Sequence, residues 1–192
     1  MNRINLKSLK SKAHTLLLYL FDTDKSFDDF RYGSEPNKEP FDFDSDQPAK
    51  GRLAITAHIF YREWLDVFLQ KLPNVKDLGV ILVTTPVQEF KEILDEHFAK
   101  EGITGHVFLS QNRGRNFGPL LVELSKLILE YDYFIHLHSK RSAHSKSFKG
   151  ELWQERNTQY LLDRSNIQGF SKAFNQNKDV GLIYVDCSDL LR

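Results

Sequence analysis

One cysteine, one methionine and no surplus charge of either sign put several classes of protein out of reach of this 192-residue chain. Cys187 alone excludes an internal disulfide and fits a reducing compartment, so a cytoplasmic location is expected. The 26 basic and 26 acidic residues cancel, which argues against a nucleic-acid binder that works by neutralising phosphates. No apolar run approaches the ~18–20 residues that a bilayer-spanning helix needs. The longest near the start, residues 16–21, is too short for a signal peptide and lacks a small-residue cleavage site. What is left is an ordinary globular composition, with mean hydropathy −0.44, in a chain long enough for one domain.

The charge is balanced but uneven. Residues 22–46 concentrate aspartates, from Asp22 to Asp46, whereas residues 138–149 hold Lys140, Arg141, Lys146 and Lys149 and no acid. A cationic loop on a neutral protein points to a small anionic ligand rather than a long polyanion.

Residues 1–50 and 51–192 read as different units. Leu6, Leu9, Ala13, Leu16, Leu17 and Leu20 are spaced as one face of an amphipathic helix over 6–20, with lysines on its other faces. Two readings stay open for it: peripheral contact with the inner face of an anionic membrane, or packing on the domain. An irregular acidic arm follows, punctuated by Pro36, Pro40 and Pro48. Its "DFDSD" resembles the start of a calcium loop but lacks the glycine and the closing glutamate, and reads as a solvated linker.

From Arg52 the pattern alternates. Strands are expected at 53–60, 78–85, 104–111, 131–138 and 179–186. Helices are expected at 62–72, 87–102 (with Gly102 as its stop), 118–131, and in two pieces across 152–177. Such alternation implies an α/β fold with a mostly parallel sheet covered by helices on both faces. Ligands of such sheets bind beyond the carboxyl ends of the strands. The residues there are His58 to Tyr61, Thr84 and Thr85, Asn112 to Asn116, and His138 to Arg141, all polar or aromatic.

Two stretches carry the chemistry. "SQNRGRNFGP" (110–119) joins a strand to a helix. Gly114 and Gly118 permit a tight turn, Arg113 and Arg115 add charge, and the helix start offers free N–H groups to a phosphate. It is neither a Walker loop nor a dinucleotide fingerprint. The plainer alternative is a capped turn whose arginines pair with acids. In "YDYFIHLHSKRSAH" (131–144), His136 and His138 share one strand face. A zinc site would need a third ligand, for which only His58 and His144 offer themselves. His136 reads as a hydrogen-bonded core histidine and His138 as facing a ligand. Phe60 or Tyr61 reads either as core or as a stacking surface for a nucleobase.

"AITAHIFY", "VTTP", "NRGRNFGPLL", "YDYFIHLHSKRS" and "GELW" follow one another in an order that resembles the rhamnan synthesis protein F family, over about residues 52–185. That resemblance implies a part in building rhamnose-containing cell-surface polysaccharides. The order of elements also resembles the nucleotide-sugar half of GT-A glycosyltransferases, in which Asp-x-Asp at the end of the fourth strand holds a divalent cation. Here that position reads His136-Leu137-His138. The resemblance implies a nucleotide-diphospho-sugar donor, a glycan or lipid-linked glycan acceptor, and a larger acceptor-binding part than this chain carries, so the chain reads as a fragment or a short member.

The expected donor site comprises His58, Tyr61, Thr84, Asn112, Arg113, Gly114, Arg115, Asn116, Gly118, His138, Lys140 and Arg141. Fixed cations are expected to stabilise the leaving diphosphate without a metal or other cofactor. Glu151 and Asp186 are the candidate bases for the acceptor hydroxyl. Two rival readings stay open: a non-catalytic nucleotide- or glycan-binding module, and a zinc hydrolase using the histidines.

Overall fold

The structure is a computed structural model that describes residues 51–139, 149–177 and 179–184, and the backbone alone at 149–152. Strands β1 (Leu53–His58), β2 (Val80–Thr85), β3 (Gly105–Leu109) and β4 (Tyr133–His138) form one all-parallel sheet in the order β3-β2-β1-β4. The crossovers are α1 (Arg62–Lys71) with a 3-10 turn at Leu72–Asn74, then α2 (Gln88–Glu101), then the short α3 (Phe117–Val122) and α4 (Ser125–Ile128). After β4 come α5 (Lys149–Leu161) and α6 (Arg164–Gln176). The sheet grows outward from β1 through β2 to β3, and the chain then returns to lay β4 on the other side of β1. The β1/β4 pair is therefore the point where strand order reverses, and a crevice opens there in sheets of this kind.

The two faces of the sheet are unequal, and the inequality comes from residue alternation. On one face Ile55, Ala57, Ile81, Val83, Ile135 and Leu137 pack against Trp64, Leu65 and Phe68 of α1 and Phe90, Leu94 and Phe98 of α2. Leu162 and Ile167 complete this core. On the other face the buried apolar set is small: Ala54 and Leu82 under Leu120 and Leu124. Toward the carboxyl ends the same face turns polar. Thr56 lies between Leu82 and His136 in register, and His58 between Thr84 and His138. Helices α3 and α4 cover the apolar half of that face, and the polar half forms the rim.

Several expectations change. The helix expected at 118–131 is two helices. Leu124 leaves the helical run (φ −96°, ψ −5°), and the Ser125 hydroxyl donates to the Val122 carbonyl at 3.3 Å, the local competition by which serine interrupts helices. Residues 179–184 form no strand, and Leu182 and Tyr184 are exposed. An Asn177 turn, with Asp179 N–H donating to Asn177 Oδ1 at 3.1 Å, precedes them. An apolar run becomes a strand only where a sheet edge takes up its backbone groups. Gly102 ends α2 as expected, in the left-handed conformation (φ 61°) with its N–H on the Phe98 carbonyl. Asp163 caps α6 by accepting from Asn166 N–H at 2.9 Å. The expected helix at 6–20 and the acidic arm lie outside the described residues.

Candidate functional site

The rim is built on two side-chain bonds that cross from strand to strand. Thr56 Oγ1 donates to the Ile135 carbonyl and also meets His136 Nδ1, both at 2.9 Å. The single hydroxyl proton goes to the carbonyl, so His136 must donate its Nδ1–H to the threonine oxygen. That leaves Nε2 as an acceptor, and the Asn116 side-chain amide stands 3.4 Å from it. Both contacts thus require the same neutral tautomer. Burial pushes His136 down to about pKa 3, with His138 and His58 adding to the effect. The second crossing joins His58 Nδ1 to Thr84 Oγ1 at 2.9 Å. Burial lowers the His58 pKa as well, partly opposed by a hydrogen bond at Thr84. Both residues are buried, 4% and 1% exposed. They stand beneath the rim, joined through His58 Nδ1 and the Thr84 hydroxyl.

His138 is half-buried. Its ring stacks on His136 (centroids 6.0 Å) and meets Trp153 of α5 on the other side (5.7 Å). The residue after it, Ser139, fixes the entry to α1: its hydroxyl accepts from Phe60 N–H at 2.8 Å, while its own N–H donates to the His58 carbonyl at 3.0 Å. Tyr61 follows as the N-cap residue of α1 and borders a groove on the α1 side of the rim.

The loop from Ser110 to Gly118 folds back over the polar half-face. Gly114 takes φ 72° and Arg115 takes φ 53°, so the chain reverses through two left-handed residues. Gly118 N–H then donates to the Gly114 carbonyl at 2.9 Å. Asn116 and Phe117 reach His136, the ring of Phe117 lying 6.0 Å from the imidazole. Asn112, Arg113, Gly114 and Arg115 are exposed. Neither guanidinium has an ion-pair partner among the described residues, in contrast to Arg62, which meets Glu89, and Arg164, which meets Asp77. Among the described residues, the pairing with acids that a plain capped turn would show is absent there. Among the described residues the buried Ser110 hydroxyl oxygen finds no hydrogen-bond partner.

His58, Tyr61, Thr84, Asn116 and His138 thus gather around the ends of β1, β2 and β4, and the loop carries Arg113 and Arg115 to the same end. Lys140, Arg141, Asp186 and His144 lie outside the described residues, as does the side chain of Glu151, whose backbone is the third residue of α5. The residues at the Asp-x-Asp position do not fit a divalent cation. Both nitrogens of His136 are engaged, and no group of three or more His, Cys, Asp or Glu with metal-holding geometry exists among the described residues.

The sequence matches the family model described as rhamnan synthesis protein F over residues 38–192, most of the chain. The chain belongs to the rhamnan synthesis protein F family. This family membership ties it to the synthesis of rhamnan polysaccharides. The match starts ahead of β1, inside the stretch read from sequence as an arm, and runs through all four strands and every helix described. Comparisons with curated proteins and with solved structures found no match. Among the described residues no helix is long and apolar enough to cross a membrane.

Proposed function

We propose that this rhamnan synthesis family member binds a nucleotide-diphospho-sugar at the rim and transfers the sugar, with rhamnose as the donor sugar, to a glycan or lipid-linked glycan acceptor on the cytoplasmic side of a membrane. The observation that carries the reading is the loop at 110–118, anchored to β4 through Asn116 and His136, which presents Arg113 and Arg115, without an ion-pair partner among the described residues, beside the point where strand order reverses. Planar guanidinium groups match phosphate oxygens two at a time.

The chemistry follows from charge. When the bond between the sugar and the diphosphate breaks, negative charge grows on the leaving phosphate. Pre-placed cations and N–H donors stabilise that charge without rearranging. Arg113 and Arg115 supply it from one side. Lys140 and Arg141, which follow Ser139 in the chain, are the candidates for further cations. His136 stays neutral in this scheme and acts on the loop, holding Asn116 in place. His138, flanked by two rings, faces the donor, and Tyr61 is the stacking surface for its base. Glu151 and Asp186 are the candidates for deprotonating the acceptor hydroxyl.

The test is transfer or donor hydrolysis with dTDP-rhamnose in EDTA. Activity persists in EDTA and falls at least tenfold in Arg115→Ala and in Lys140→Ala. Full activity in both variants, or complete loss in EDTA, contradicts the scheme. Tight donor binding with no turnover under any condition favours a non-catalytic binding module on the same site.

A further inference from the structure

Helix α1 presents Glu63, Val67 and Lys71 at four-residue spacing, one stripe along its surface. Helix α5 offers Glu155 and Gln159 in the same rhythm. Between the stripes runs a groove of about 520 Å3, within the range of built ligand sites. Its floor is fixed by a buried bond: Trp64 Nε1–H donates to Thr158 Oγ1 at 2.8 Å, and the Thr158 hydroxyl donates in turn to the Gln154 carbonyl at 2.8 Å. Tyr61 and Ser139 close the upper end, at the rim itself. At the lower end Lys71 and Gln159 also border a second hollow of about 450 Å3 that continues past Asn74 to Arg164. The two hollows share a boundary and together run from the rim along the length of α1.

The lining selects an occupant. The side-chain carboxylate of Glu155 and amide of Gln159 offer the mixed acceptors and donors that neighbouring sugar hydroxyls require. Val67 supplies apolar surface for the C–H faces and methyl group of a deoxy sugar. Among the described lining residues, two carboxylates against one lysine disfavour a nucleoside diphosphate. The length of the paired hollows exceeds what one small molecule fills and suits a linear chain.

We propose that the α1–α5 groove is a saccharide subsite that holds the acceptor glycan, with its growing end at Tyr61 and Ser139. The inference rests on the sugar-transfer reading and adds to it: donor and acceptor lie on opposite sides of one rim. Apart from Tyr61, which borders both and faces the donor's base, residues on the groove side are specificity determinants for the glycan and take no part in donor binding.

The chain has two tryptophans, and they report on the two sides. Trp64 forms the groove floor, and Trp153 abuts His138 on the rim. The experiment follows both indole N–H signals of the ¹⁵N-labelled full chain during titration with a short rhamnose oligosaccharide and, separately, with dTDP. The oligosaccharide is expected to shift Trp64, and dTDP to shift Trp153. Val67→Phe, which puts a ring into the groove from a position 39% exposed, and Gln159→Ala are each expected to weaken the oligosaccharide at least fivefold and leave dTDP binding unchanged. An oligosaccharide that does not bind, leaves Trp64 unmoved or binds both variants like the wild type overturns the assignment while dTDP binding stands. Displacement of Trp64 by dTDP, with loss of dTDP binding in Val67→Phe, also overturns it and gives the groove to the nucleotide. Groove-dependent oligosaccharide binding in a chain that never binds dTDP supports the assignment and instead sinks the donor reading.

Discussion

Gly118 lies so close to the carbonyl of Arg113 that a Cβ added at Gly118 would stand 2.0 Å from the carbonyl oxygen. The contact closes the arginine loop on itself and leaves no room for any other residue. Gly118→Ala must push Arg113 away and strain the Gly118 to Gly114 bond. The expected cost is about 1–3 kcal/mol of stability, the usual penalty for overpacking, with at least tenfold weaker dTDP binding. Thermal unfolding and calorimetric titration of the variant measure both. A variant as stable and as avid as the wild type would show that loop closure does not matter.

Arg115 is the one described non-glycine residue held at positive φ, at 53°. A left-handed arginine costs about 1 kcal/mol relative to glycine. Arg115→Gly and Arg115→Ala both remove the guanidinium and are expected to lose affinity for dTDP equally. They are expected to part in stability, with Arg115→Gly above Arg115→Ala by about 1 kcal/mol. Chemical denaturation of the two variants side by side reads the difference. Equal stability would mean that the backbone there relaxes freely.

The sheet was legible in the sequence because its strands are short apolar runs closed by polar or proline-containing turns. "LGVILVTTP" needs no partner to be recognised. The break at Leu124 was not legible, since 118–131 keeps its apolar spacing across it, and only packing on Ala54 and Leu82 decides where the helix turns. Residues 179–184 failed for the opposite reason: their pattern suits a strand, but pairing is a tertiary event. At the site, the alternation of His136 and His138 announced a shared face. That His58 would be spent on Thr84 was hidden, because the register of β1 against β2 is not written in either strand alone. The groove was invisible for the same reason. Its floor bond joins Trp64 to Thr158, 94 residues apart.

His136 makes stability depend on acid. Free histidine takes up its proton near pH 6.5, whereas folded His136 refuses one until about pH 3. Between those values the unfolded chain binds a proton that the folded chain does not, so stability falls as pH drops through that window. The slope is at most about 1.4 kcal/mol per pH unit for this one group, and His58 acts in the same direction. His136→Phe is expected to flatten the dependence between pH 6 and 4 and, by freeing Asn116, to weaken dTDP binding at pH 7. Denaturant titrations across that range check the slope. Unchanged slopes in the variant would place the acid sensitivity elsewhere.

Thr158→Val keeps the shape of the groove floor and deletes its acceptor. The Trp64 indole N–H, in a side chain only 5% exposed, then loses its partner. The expected cost is about 1–3 kcal/mol, the penalty for an orphaned buried donor. Thermal unfolding checks it, with a downfield-to-upfield move of the Trp64 indole proton as the local signature. A neutral outcome would show that the indole finds water or another acceptor.

Donor binding at the rim requires that the arginine loop grip a diphosphate. Calorimetric titration of dTDP into the wild-type chain and into Arg113→Ala/Arg115→Ala, both in EDTA, tests this most directly. Charge-assisted hydrogen bonds of about 1.5–3 kcal/mol each predict binding to the wild type and at least tenfold weaker binding to the double variant, whose fold stays intact by circular dichroism. Equal affinity in the two proteins, or no binding to either, would contradict the account.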